Sequence, residues 1–357
     1  MCVTFSNWHA RVEWGTSHTD GHSGGHIDMK TNPTLSKVLT LVSAVSLSAT
    51  AFAKADKDAL PVYKPTSGVT GTLKSIGSDS MNNEMALWSE AFRKFYPAVK
   101  IEVEGKGSAT APTALIEGTA QFGPMSRPMK NEEMAAFKNK FGYDPTPIRT
   151  SLDVLAVYVH RDNPIKSLSL QQVDAIFSKT RKGGSAKDIV TWGDVGLTGG
   201  WAQKPIQIYG RNSASGTYGY FKEHALFKGD FKDSVKEQPG SAAVVQGVAS
   251  DKFGIGYSGI GYMTDAVKAV PLAAKDGTEA IPANEKTALA GTYPLGRYLM
   301  LYINKAPKQA LDPARREFLL YVLSAQGQES VVKNGYIALP AKIIKQERAK
   351  LGKVKGG

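Results

Sequence analysis

Serine, threonine, glycine and one arginine recur in four short motifs whose chemistry suits the capture of a small oxyanion. They are GSDSM (Gly77 to Met81), GKGSAT (Gly105 to Thr110), MSRP (Met125 to Pro128) and GRNSASGTY (Gly210 to Tyr218). Three of the four run directly into a helix-like stretch. A helix start presents unpaired backbone N–H groups and the positive end of the helix dipole. Three such starts and one arginine aimed at one point would hold an oxyanion without any metal.

The elements that must position these motifs alternate along the chain. Thr72 to Ile76, Lys100 to Glu104, Ala120 to Gly123, Leu152 to Val159, Ile206 to Tyr209, Gly254 to Tyr257 and Leu299 to Ile303 have strand patterns. Helical spacing is predicted over Asn82 to Phe95, Ala109 to Glu117, Leu170 to Phe177, Tyr218 to Phe227, Ala242 to Ala249 and Pro313 to Leu323. In the first of these helices Met85, Trp88, Phe92 and Phe95 form a core face. Alternation of this kind predicts an α/β architecture with parallel sheets. The tandem GIGYSGIGY (Gly254 to Tyr262) is too short for a repeat architecture and reads as a tight glycine-rich crossing between domains.

With 357 residues, 42% hydrophobic and 21% charged, the chain is long enough for two domains and excludes a disordered or membrane-bundle class. Met29 opens a short basic region, Val38 to Thr50 is an apolar run, and Ala51-Phe52-Ala53 is an A-x-A pattern. That is a secretory signal over 29–53 with cleavage after Ala53, and it predicts a periplasmic protein. Residues 1–28 precede it and read as translated upstream sequence rather than a histidine metal tract. Residues 1–53 carry three basic and three acidic groups, so the formal charge of +12 belongs to the remainder. A cationic protein attracts anions, although scattered lysines also make an ordinary solvated face. The single cysteine, Cys2, lies in the extension, which leaves no disulfide or thiolate chemistry beyond it.

The four motifs, in this order and behind a signal peptide, closely resemble the phosphate-binding proteins of high-affinity phosphate ABC transporters, a periplasmic substrate-binding family. The resemblance runs from about Gly71 to Pro340 and is strongest at Arg211 followed by Ser215-Gly216-Thr217. It implies two hinged α/β lobes with the ligand between them. Lobe 1 would take 69–155 and 262–345, and lobe 2 would take 156–261. A linker over 54–68 and a basic tail over 346–357 would flank them. Ligands of open α/β sheets sit at the carboxyl ends of the strands, which agrees with this layout. The resemblance implies a phosphate held by Ser80 with the Met81 N–H, by Ser108, by Ser126, by Ser215, Gly216 and Thr217, and by the Arg211 fork. The family usually has an aspartate where Ser126 stands, to accept the phosphate proton and repel sulfate, and often an acid where Ser213 stands. Asp79 is either a replacement acceptor or a helix cap. Arg127 either reaches the cleft or forms a surface ion pair. The implied partner is an inner-membrane ABC permease, with no cofactor, and the protein is expected to be a monomer.

Catalytic parts are sparse. Beyond residue 53 the only histidines are His160 and His224, and no G-x-x-x-x-G-K-[ST], G-x-S-x-G or H-E-x-x-H motif occurs. The S-x-x-K match at Ser330 to Lys333 lacks its companion motifs. The chain is therefore read as a non-enzyme without a metal site. The rival readings are a relaxed, sulfate-like oxyanion receptor, a secreted phosphatase and a basic surface-binding protein. Nucleic-acid binding is not expected, because the aromatic-plus-basic interleaving of a nucleic-acid platform is not concentrated anywhere.

Overall fold

The computed structural model describes residues 59–352, and along them strands and helices alternate. The expected signal peptide and upstream extension lie outside the described residues. Strand Gly71–Ile76 (β1) passes through a 3-10 turn, Asp79–Met81, into helix Asn82–Phe95 (α1). Met85, Trp88 and Phe92 are fully buried on one face of α1, as their spacing requires. Phe95, the fourth of that series, is 37% exposed and covers Tyr63 and Tyr321 from outside. Val99–Glu104 (β2) pairs parallel with β1, and Thr110–Glu117 (α2), Gly123–Met125 (β3) and Asn131–Phe141 (α3) follow.

Thr146–His160 (β4) is the backbone of the molecule, with ten successive buried residues from Thr150 to Val159. Beyond it come Leu168–Ser169 (β5), Leu170–Phe177 (α4), Gln207–Arg211 (β6), Gly216–His224 (α5), Lys236–Gln238 (β7), Ser241–Ser250 (α6) and Gly254–Gly259 (β8). The chain then returns through Val267–Ala269 (β9), Leu272–Ala273 (β10), Ala280–Ile281 (β11), Glu285–Leu289 (α7) and Gly296–Ile303 (β12). It closes with Pro313–Val322 (α8), Ala325–Lys333 (α9) and Ala341–Lys350 (α10).

The largest sheet has the order β3-β12-β4-β8-β6-β7, with β9 also on β4. It is mixed, which corrects the expectation of parallel sheets. Pairing is parallel for β1–β2, β6–β7 and β6–β8, where helices provide the crossover a parallel pair needs. It is antiparallel along β4, whose first half pairs with β12 and whose second half pairs with β8. One long strand thus runs through both halves of the fold.

The glycine-rich GIGYSG segment is β8 itself, buried at every residue. A Cβ on Gly256 would lie 2.8 Å from Val244 and 2.9 Å from Val248 of α6, so a side chain there would push the helix off the sheet. Within the stretch read as a linker, Tyr63 is buried while 64–68 are exposed. The Tyr63 ring is buried, and its hydroxyl meets Tyr96 Oη at 2.7 Å and donates to Glu317 at 2.9 Å. The stretch read as a basic tail continues α10, where Glu347 is fully buried and accepts from Arg149 at 2.6 Å. Among the described residues no helix is long and apolar enough to cross a membrane.

Candidate functional site

Six hydroxyls from five separate chain segments form one continuous, buried chain. Ser78 Oγ donates to Ser126 Oγ at 3.0 Å, and Ser126 Oγ lies 3.3 Å from Ser108 Oγ and 3.4 Å from Thr217 Oγ1. Thr217 Oγ1 lies 2.7 Å from Ser80 Oγ, which lies 3.4 Å from Ser241 Oγ. None of the six residues is more than 2% exposed. A hydroxyl both donates and accepts, so such a group can redirect its proton from a neighbouring hydroxyl to an oxyanion without leaving a buried polar atom unpaired.

Two arginines bracket the hydroxyls. Arg211, at the end of β6, donates through Nη1 to Ser241 Oγ at 2.8 Å and through Nη2 to the Pro239 carbonyl at 3.3 Å. Its Nη1 also lies 3.1 Å from Asp79 Oδ2. Burial lowers the pKa of this guanidinium, and Asp79 opposes the shift. Arg297 donates through Nη2 to Thr217 Oγ1 at 3.0 Å and through Nη1 to the Ser126 carbonyl at 2.9 Å. It faces Asp153 directly across the β12–β4 ladder, with Nη2 2.7 Å from Oδ2, and Asp153 is fully buried.

Of the residues expected from the sequence, the structure brings Ser80, Ser108, Ser126, Gly216 and Thr217 together, with Arg211 at the edge of the cluster. Ser215 is close in sequence but differently employed. Its hydroxyl caps α5 by accepting from the Thr217 and Tyr218 N–H groups. The Met81 N–H donates to the Ser78 carbonyl inside the 3-10 turn, and the Met81 side chain is buried.

Asp79 is a cap, but of a distant helix. Its Oδ2 accepts from the Ser241 N–H at the start of α6 at 2.7 Å. Arg127 is an ion-pair residue, only 8% exposed, whose fork grips Glu133 of α3 at 2.8 and 2.6 Å. Glu133 in turn accepts from the Lys130 N–H, which ties this pair to the start of α3. His224 lies against Tyr220 with the rings tilted, and His160 Nδ1 accepts from the Asp162 N–H. Among the described residues no group of three or more His, Cys, Asp or Glu could hold a metal ion.

Sequence reasoning missed Arg297, Asp153, Ser78 and Ser241. A signal was available for the first two. Each is a lone charge interrupting an apolar strand, in LGRYLML and SLDVLAV. Such a charge stays in a core only with a partner. Glu84, in the first turn of α1, is a third buried ionisable group in this region and is fully inaccessible. Both of its oxygens are without a hydrogen-bond partner.

The family model for the PBP superfamily domain matches residues 63–326. The phosphate-binding protein PstS of Pseudomonas aeruginosa is 56% identical over 318 residues, covering 89% of this chain and 98% of that protein. The phosphate-binding protein PstS of Staphylococcus haemolyticus is 31% identical, over 79% of this chain and 86% of that protein. A crystal structure of a phosphate ABC transporter substrate-binding protein with bound phosphate, from Clostridium perfringens, superposes with a TM-score of 0.64. It is 26% identical to this chain, of which it covers 75%, and is itself covered completely. An ABC-type phosphate transport receptor from Vibrio cholerae, 20% identical with a TM-score of 0.58 over 75% of this chain and all of that one, shares the fold. The matched family model and the sequence identity agree: this chain belongs to the PBP superfamily and, within it, to the PstS family.

Proposed function

We propose that the protein binds inorganic phosphate between its lobes in the periplasm and delivers it to an inner-membrane ABC permease. The observation that carries this reading is the buried chain of hydroxyls bracketed by Arg211 and Arg297, in a chain 56% identical to a PstS. Lobe 1, formed by 69–155 and 262–345, contributes Ser80, Ser108, Ser126 and Arg297. Lobe 2, formed by 156–261, contributes Arg211, Gly216 and Thr217. Ser215 holds the start of α5 in place, and Met81 anchors the turn that carries Ser80. A dianion shared by both lobes favours the closed arrangement, and the closed form is the one a permease would dock. Export is by the signal over 29–53, with cleavage after Ala53. The protein acts as a monomer and a carrier, with no catalytic step.

Calorimetric titration of ligand-stripped protein with phosphate, then with sulfate at matched salt, tests the reading. One-to-one phosphate binding with sulfate silent is the expected result. Equal binding of the two would make the protein a relaxed oxyanion receptor, and binding of neither would overturn the proposal.

Gly216 provides a steric test of the same site. A Cβ there would collide with Ser108 Oγ and lie 2.8 Å from Ser108 Cβ and 2.7 Å from Ser126 Oγ. Gly216→Ala is expected to hold the lobes apart and weaken phosphate binding about 10- to 100-fold, from an overpacking cost of about 1–3 kcal/mol. Wild-type affinity in this variant would place Gly216 outside the closing interface.

A further inference from the structure

We infer that Asp79 is an interlobe positioning residue, which ties Arg211 and the start of α6 to the opposite lobe and matches the arginine's charge only when the cleft is shut. The inference rests on the phosphate-binding reading above.

Asp79 sits in the 3-10 turn ahead of α1, on the first lobe. Its partners, Arg211 Nη1 at 3.1 Å and the Ser241 N–H at 2.7 Å, both belong to the second. Gly240 is packed against the same carboxylate, since a Cβ there would lie 3.0 Å from Asp79 Oδ1. The turn is held from behind by Tyr262, which donates to the Asp79 carbonyl at 2.9 Å, and by Tyr336, which donates to the Ser80 carbonyl at 2.8 Å. The carboxylate is therefore fixed in place rather than carried on a free loop.

On its own lobe Arg211 has no acid two residues along, because that position is the exposed Ser213. Its other partners there are neutral: Ser241 Oγ, the Pro239 carbonyl, and Tyr257, whose hydroxyl accepts from the Arg211 N–H. Opening the cleft would separate Arg211 from Asp79 and leave an unmatched cation facing solvent, which attracts an incoming anion. Closing the cleft restores the pair and caps α6 in the same step.

The alternative is that Asp79 is only a nearby negative charge. The two roles predict opposite signs. Removing a tether speeds ligand release, whereas removing a repulsive charge slows it. Asp79→Asn keeps the shape and removes the charge. The expected result is phosphate release about tenfold faster by stopped-flow fluorescence, as for the loss of one charge-assisted contact. Stripped Asp79→Asn protein should also show a larger radius of gyration in small-angle X-ray scattering than stripped wild type. Adding Ser213→Asp supplies a carboxylate on the arginine's own lobe, and release should stay fast. Unchanged or slower release with unchanged scattering would overturn the inference, as would recovery of slow release in the double variant. Should wild-type protein bind no phosphate, the functional reading fails, and the scattering comparison alone decides the role of Asp79.

Discussion

Arg297→Ala is expected to destabilise the protein by about 3–5 kcal/mol, because it leaves Asp153 as an uncompensated buried charge. Asp153 is fully inaccessible and the Arg297 side chain is 2% exposed. After the substitution the carboxylate would retain only the Ile260 N–H, at 3.0 Å. The variant should melt earlier in urea and by heat, and phosphate affinity should fall as well, since Thr217 loses its charged donor. Arg211→Ala provides the contrast. Its partner Asp79 is 18% exposed and can be rehydrated, so stability should change by no more than about 1 kcal/mol. Phosphate affinity should nevertheless drop at least about tenfold, as for a lost charged hydrogen bond of about 1.5–3 kcal/mol. Equal stability of the two variants would contradict the difference in burial on which both expectations stand.

Glu84→Gln should flatten the loss of stability between about pH 4.5 and pH 8. In the unfolded chain this carboxyl ionises near 4.5, while burial pushes it up to about 8 in the folded protein. Desolvation is the main cause. Asp153 on β4 adds to it, and the nearby Ser151 hydroxyl opposes it without overcoming it. Tyr262 and Tyr336 also face this charge, and burial raises both phenols well above their usual range. Between 4.5 and about 8 the folded state keeps a proton that the unfolded chain has released. Stability therefore falls as pH rises through this window, by on the order of 5 kcal/mol in total, and levels off above about 8. Glutamine cannot titrate, so urea midpoints of the variant should vary much less between pH 5 and pH 8.5. A variant with the wild-type slope would show that Glu84 is ionised in the folded protein at neutral pH.

Both predictions concern charges that sit behind the hydroxyl cluster. Asp153 and Arg297 lie on the paired strands β4 and β12, and Asp153 also accepts from the Ile260 N–H just past β8. The long strand β4 thus carries the anchor for the arginine that reaches Thr217.

The sequence by itself determined the local events. The period of Met85, Trp88 and Phe92 sets the buried face of α1, and helical spacing alone sets the bounds of Leu170–Phe177, whose start Ser169 and Gln172 close with a capping box. The Ser-Gly motifs mark helix starts, because small hydroxylated residues cap the first free N–H groups, as Ser215 does for α5. These signals act over a few residues and survive without knowledge of the fold.

Only the tertiary structure decided the long-range pairings. Asp79 reads as a helix cap from its neighbours, yet the helix it caps begins 162 positions later at Ser241. Arg127 follows Ser126 in the motif, yet its fork turns away to Glu133. Arg297 carries no local motif at all and enters the site through cross-strand register with Asp153. Sheet direction was likewise invisible, since a buried strand has the same apolar run whether its neighbours are parallel or antiparallel. In each case the partner is chosen by burial: a charge or ladder hydrogen bond removed from water must be satisfied by whatever the closed chain brings beside it.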